Sequence, residues 1–132
     1  MSRSVLGEAR IRQGIGVLGG LQLATGLALT LIPGTFYDAV AAFGVRNDHF
    51  LRDYGTYYLA SGLALLLSIS RPSWRVPILF VVTVQYALHA LNHLVDIGNS
   101  DPGWLGLFDF ITLAGLTAVL GYFLHATAKA PR

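Results

Sequence analysis

The chain has 132 residues, of which 54% are hydrophobic and only 12% charged. Soluble domains carry about 25% charged residues, so this composition excludes an ordinary water-soluble fold, and the length suits a single domain over residues 1–132. The net charge of +2 does not mark a nucleic-acid binder, because the basic residues flank apolar runs instead of forming a patch with stacking aromatics; the absence of cysteine excludes disulfides, thiolate metal sites and cysteine-ligated iron–sulfur clusters.

Residues 1–12 are polar, with Arg3, Arg10 and Arg12 set against Glu8. No charge occurs over residues 13–37, a run long enough to cross a bilayer. It exceeds the roughly 7–15 residues of a signal-peptide core, so it reads as a retained span over 12–33. Gly16 and Gly20 form a GxxxG step, with Gly19 and Gly26 nearby, which suits close helix packing. Pro33 and Gly34 end this helix. Phe36, Val40 and Phe43 then fit one face of a short interfacial helix over 36–44.

The second apolar run covers 51–70 and opens with Arg52 and Asp53; Arg52 is expected to form an ion pair with Asp53 or with Asp109. Asp53, Tyr57 and Ser61 fall on one helical face. Residues 71–75 form a charged turn carrying Trp74, an interfacial anchor like Trp104. The third run covers 75–97, a loop follows over 98–103, and the fourth run covers 104–127, interrupted by Asp109. The expected fold is all-α, an integral membrane four-helix bundle with its site built from helices two, three and four.

Lysines and arginines divide unevenly. The N-terminus, the 71–75 turn and the C-terminus hold seven (Arg3, Arg10, Arg12, Arg71, Arg75, Lys129, Arg132), whereas the first and third loops hold two, Arg46 and Arg52. The positive-inside rule places both termini in the cytoplasm. His49, Asp53, His93, Asp96 and Asp109 then gather near the outer face, with His89 roughly 10 Å below Asp96 along its helix. Nothing comparable is expected in the inner half.

The third run carries Gln85, His89, Asn92, His93 and Asp96, one polar stripe at helical spacing. Phe80, Val84, Ala87, Leu91 and Leu94 occupy the other side and suit lipid. Imidazoles and amides inside an apolar segment cost free energy unless something satisfies them. Three arrangements meet that demand. His89 and His93, at i and i+4, with Asp53 and Asp109, or with His49, to complete the sphere, form a candidate site for a divalent metal such as zinc, iron or copper(II). Alternatively Asp53, Tyr57, Gln85, His89, Asn92, His93 and Asp109 bind a quinone-like lipophilic ligand. In the third arrangement the same groups form a hydrogen-bonded network without a ligand. Bis-histidine haem fits poorly, because the two histidines share a helix. Tyr54 reads as part of the outer aromatic belt, and Tyr57 as a site residue because it shares the Asp53 face.

The stretch Asn47-Asp48-His49-Phe50-Leu51-Arg52-Asp53-Tyr54-Gly55, followed by the second apolar run and by His89-Ala90-Leu91-Asn92-His93, resembles small bacterial membrane proteins similar to the DoxX-like four-helix group. That resemblance, over roughly 10–127, implies a multi-pass protein of the bacterial cytoplasmic membrane. DoxX itself is linked to a quinone-reducing thiosulfate oxidoreductase, which implies quinone-linked redox chemistry; no catalytic residue transfers. Two functions fit: a small-molecule- or metal-binding membrane protein, or a non-catalytic accessory subunit of a larger respiratory or other redox complex. A homo-oligomer within the lipid bilayer is compatible with either.

Overall fold

The structure, a computed structural model, describes the backbone of residues 2–129 and the side chains of residues 7–129. Arg132 and the side chain of Arg3, both counted for orientation above, lie outside the described residues. Among the described residues five helices follow one another: α1 (Ser2–Leu31), α2 (Pro33–Val40), α3 (Asp48–Ser70), α4 (Pro72–Val95) and α5 (Trp104–Ala128). Among the described residues there is no β-strand, only a single antiparallel bridge between Phe43 and Ser100. Helices α1, α4 and α5 are long and apolar enough to cross a membrane. Their exposed surface is apolar, with Val17, Leu31, Phe80, Leu88, Ile111 and Tyr122 turned outward. Side chains of this kind in such number suit lipid rather than water, and the chain is a multi-pass membrane protein.

Local signals explain where the helices begin. Pro33 opens α2 and Pro72 opens α4 within the first turn, where a missing N–H costs nothing. The short helix therefore covers 33–40 rather than 36–44, and residues 41–46 run on to meet the loop before α5. Asn47 caps α3 by accepting a hydrogen bond from the Phe50 N–H at 3.1 Å. That cap adds the turn with Asp48 and His49 to the expected 51–70 helix. Arg46 donates to Asp48 at 2.6 Å and holds its carboxyl below the usual carboxylate range, chiefly through that hydrogen bond. Helix α3 has the length of a span at 23 residues, but Asp53, three tyrosines and Thr56 crowd its first half and keep its composition less apolar than the other three.

Helix α1 lies antiparallel along α3, α4 packs on α3, and α5 packs on α4. Glycines set the first of these contacts. A Cβ added to Gly62 would meet the Leu23 backbone nitrogen at 2.9 Å and the Gly19 carbonyl oxygen at 3.0 Å. One added to Gly26 would meet the Leu59 backbone nitrogen at 2.8 Å, and one added to Gly55 the Gly26 carbonyl oxygen at 3.1 Å. Gly19 faces Gly62 and Gly26 faces Gly55, so each helix spaces its two glycines seven residues apart on the seam. The expected GxxxG step is not the one used: Gly20 faces open space, and Gly16 has only ordinary contact with Ile69. Seven residues keep a position on a straight seam with a neighbour, whereas Gly16 and Gly20 straddle the edge of this one.

At mid-depth the seam carries a polar tie. Gln22, 2% exposed, donates to Ser61 at 3.1 Å and accepts from the Tyr86 hydroxyl at 3.0 Å, joining α1, α3 and α4. Around it pack Ile15, Leu18, Leu29, Leu65, Leu79 and Val82.

Gly62→Ala is expected to lower stability by about 1–3 kcal/mol, because the added methyl group presses on backbone that cannot move aside. Gly20→Ala, which points into open space, should melt no lower than the parent. Thermal unfolding in detergent checks both; equal losses at the two positions would show that the seam does not run through Gly62.

Candidate functional site

The glycine seam fixes the rotation of α3. With Gly55 turned to α1, Tyr54 points toward α4 and Asp53 points away from both. The Tyr54 hydroxyl lies 3.3 Å from His89 Nδ1 and accepts from Gln85 Nε2 at 2.7 Å. His89 Nε2 lies 3.1 Å from His93 Nε2. His93 Nδ1 faces Asp109 Oδ2 at 3.9 Å, beyond hydrogen-bond range. Asp109 is only 8% exposed, and neither its Oδ2 nor His93 Nδ1 has a hydrogen-bond partner.

Tyr54, His89, His93 and Asp109 occupy one wall of a cavity of about 450 Å³. Helix α2 and the residues after it form the roof. Tyr37 donates to the Gly44 carbonyl, and Gly44 turns the chain with a φ of +68° that side-chain-bearing residues rarely adopt. The Asp101 N–H donates to the Ala42 carbonyl at 3.0 Å beside the Phe43–Ser100 bridge. Held in this way, the Phe43 ring meets the His93 ring edge-on at 4.8 Å. The rest of the lining is mostly apolar: Leu29, Phe36, Phe50, Phe108, Leu113 and Leu116 among others.

A second, more open groove of about 520 Å³ lies between α3 and α4 on the outward side. Tyr54, His89 and Asn92 line both spaces and separate them. Tyr57 and Gln85 line only the groove, and the Tyr57 hydroxyl and Gln85 Oε1 have no partner there. Phe80, Val81 and Leu88 form its exposed apolar walls.

The expected site residues therefore divide. His89, His93, Asn92 and Asp109 reach the cavity. Gln85 and Tyr57 sit behind it. Asp53 does not take part: its side chain is 67% exposed and pairs with His49 at 3.4 Å, one turn back on the same helix. The expected Arg52–Asp53 ion pair is not formed, and among the described residues Arg52 makes no ion pair. Neighbours on a helix point about 100° apart, which sends these two side chains in different directions. Asp96 terminates α4 and accepts from Asn99 at 2.9 Å. Tyr54, expected in the aromatic belt, is instead a central site residue. Its spacing from Tyr58 and Leu51, both buried, was the available signal.

The metal set of His89, His93, Asp53 and Asp109 does not assemble. Among the described residues no three His, Asp or Glu side chains gather in metal-ligating geometry. The physical reason is local: the two Nε2 atoms bond to each other, and Asp53 is on the wrong face of α3. Comparison with family models, with curated proteins and with solved structures finds no match to this chain.

The opposite end of the molecule carries a polar tie of its own. Arg75, 4% exposed, donates to Glu8 at 2.9 and 3.0 Å, to the Ser68 carbonyl at 3.0 Å and to the Ile69 carbonyl at 2.9 Å. One guanidinium thus caps two carbonyls at the end of α3, adding to the Arg71 N–H on Ser68, and binds α1 to α4. The buried cation was hidden in the sequence because residues 71–75 read as a surface turn, whereas residues 72–75 open α4.

Arg75→Leu is expected to cost about 2 kcal/mol or more, since the Ile69 carbonyl and the Glu8 carboxylate lose their donor and the Ser68 carbonyl keeps only the Arg71 N–H at 3.3 Å. Arg52→Leu should melt with the parent. Thermal unfolding of the two variants in detergent compares them, and a larger loss at Arg52 would contradict the assigned partners.

Proposed function

We propose that the protein is a four-span membrane protein that binds a lipophilic small molecule through a hydrogen-bonding, quinone-sized head group in the cavity beneath α2. One observation carries this reading: two buried polar atoms, His93 Nδ1 and Asp109 Oδ2, lack partners at the edge of a cavity whose walls are otherwise mainly apolar. Buried polar groups are normally satisfied, so an unpaired donor–acceptor couple beside an empty volume marks a place for a polar head group. A volume of about 450 Å³ falls in the range of small-molecule sites. Phe36, Phe50, Phe108 and Leu113 suit the apolar body of such a ligand. The resemblance of residues 47–55 and 89–93 to DoxX-like bacterial proteins supports a ligand of the quinone class and a place in the bacterial cytoplasmic membrane.

In this reading α3 crosses with the other three helices. The excess of arginine and lysine near the N-terminus, the turn before α4 and the C-terminus supports cytoplasmic termini, with the cavity opening in the outer leaflet. Reporter fusions after residue 132 and within 98–103 are expected to report opposite sides of the membrane. Fusions reporting the same side would remove the outer-leaflet assignment.

Binding is tested with a short-tailed benzoquinone and its hydroquinone, titrated into the purified protein in nanodiscs and followed by thermal stabilisation. At one hundred times the dissociation constant, stabilisation of about 2.7 kcal/mol is expected. His93→Phe combined with Asp109→Leu should abolish it while the ligand-free melting point persists. Stabilisation by neither probe, or stabilisation unchanged in the double variant, would reject the cavity as the site.

A further inference from the structure

The hydrogen bonds around His89 have a direction, and it is set from the lipid-facing groove. Gln85 Nε2 donates to the Tyr54 oxygen at 2.7 Å. The Tyr54 O–H has two neighbouring acceptors, the Tyr58 hydroxyl and His89 Nδ1, and the contact to His89 at 3.3 Å has hydrogen-bond geometry. A ring nitrogen that accepts carries no proton, so the neutral His89 ring holds its proton on Nε2. That N–H faces His93 Nε2 at 3.1 Å and donates to it. His93 Nε2 is then an acceptor, and the His93 proton sits on Nδ1. The chain therefore ends in an N–H donor at the cavity, 3.9 Å from Asp109 Oδ2.

That distance is too long for a direct bond and suits one intervening oxygen. An oxygen accepting from Nδ1–H at about 2.9 Å and donating to Oδ2 at about 2.7 Å spans the gap, with an angle near 90° at that oxygen. Only an O–H group does both. An ether or ketone oxygen satisfies His93 and leaves the Asp109 oxygen without a partner, which is costly for a buried acceptor. A carboxylate head group sets acid oxygen against acid oxygen.

We propose that His93 and Asp109 form a hydroxyl-selective subsite, preset by Tyr54 and His89, whose ligand is an uncharged lipophilic alcohol or phenol. This rests on the cavity being a ligand site. Tyr54 and His89 are positioning residues: they act on the ligand by fixing which nitrogen of His93 is protonated. Gln85 anchors the direction of the chain from the groove side.

Two measurements on the parent protein test this without relying on a variant that folds. Nitrogen-15 NMR of histidine-labelled protein in micelles is expected to show His89 protonated at Nε2 and His93 at Nδ1. Protonation of His93 at Nε2 overturns the proposal; it corresponds to Gln85 turned over, with its Oε1 accepting from Tyr54. Next, a para-alkylphenol and its methyl ether are titrated while the His93 Nδ1 resonance is followed. The phenol should bind about tenfold more tightly, the fold-change expected for one hydrogen bond to a carboxylate. Asp109→Leu should bring the phenol down to the affinity of the ether. Equal affinities overturn the hydroxyl subsite but leave the cavity a ligand site; binding of neither compound overturns both.

Discussion

The contact between the backbones of α1 and α3 is the constraint from which the rest of the structure follows. Where Gly19 meets Gly62 and Gly26 meets Gly55, no side chain separates the two helices. Such a contact admits one rotation of α3 and rejects others, because any residue larger than glycine at the seam would meet backbone. That rotation turns Tyr54 to α4 and Asp53 outward. The chemistry of the site is thus decided about one helix diameter away from it, by residues that touch no cavity.

Polar groups hold the helices together at three depths. At one end the Arg75 guanidinium joins α1, the end of α3 and the start of α4. At mid-depth Gln22 links Ser61 and Tyr86. At the other end Tyr54, His89 and His93 link α3 to α4, and Asp109 of α5 stands just out of reach. Lipid offers no hydrophobic gain for bringing apolar helices together, so directional bonds and close backbone contact take a larger share of the specification. The first two ties are complete. The third leaves His93 Nδ1 and Asp109 Oδ2 unpaired, and this contrast is what supports the proposed binding place.

The roof over that place is built differently. Helix α2 is only eight residues long, and the segment after it is held by one bridge, one backbone hydrogen bond and the turn at Gly44. Few buried contacts and short elements open more readily than packed helices. A cavity with rigid walls and a lightly held cover would let a ligand of the proposed kind exchange while the polar end keeps its geometry.

Composition alone determined that the chain belongs in a membrane, because runs such as 13–37 lack charge and a soluble fold cannot bury them. Periodicity alone placed Gln85, His89, Asn92 and His93 on one stripe, because a helix repeats every 3.6 residues whatever surrounds it. The breaks at Pro33, Pro72 and 98–103 were legible for the same local reason. What the tertiary structure decided was which groups meet. Asp53 and Tyr54 are neighbours in sequence, and the polar site was expected to take Asp53 and leave Tyr54 to the aromatic belt; the glycine seam reverses that choice. Arg75 looks like one more loop charge until α1 brings Glu8 beside it. The GxxxG step at Gly16 and Gly20 lost to the seven-residue pairing at Gly19 and Gly26, since a seam is defined by two helices together. Periodicity gives the face of one helix; the partner that face meets is a property of the pair.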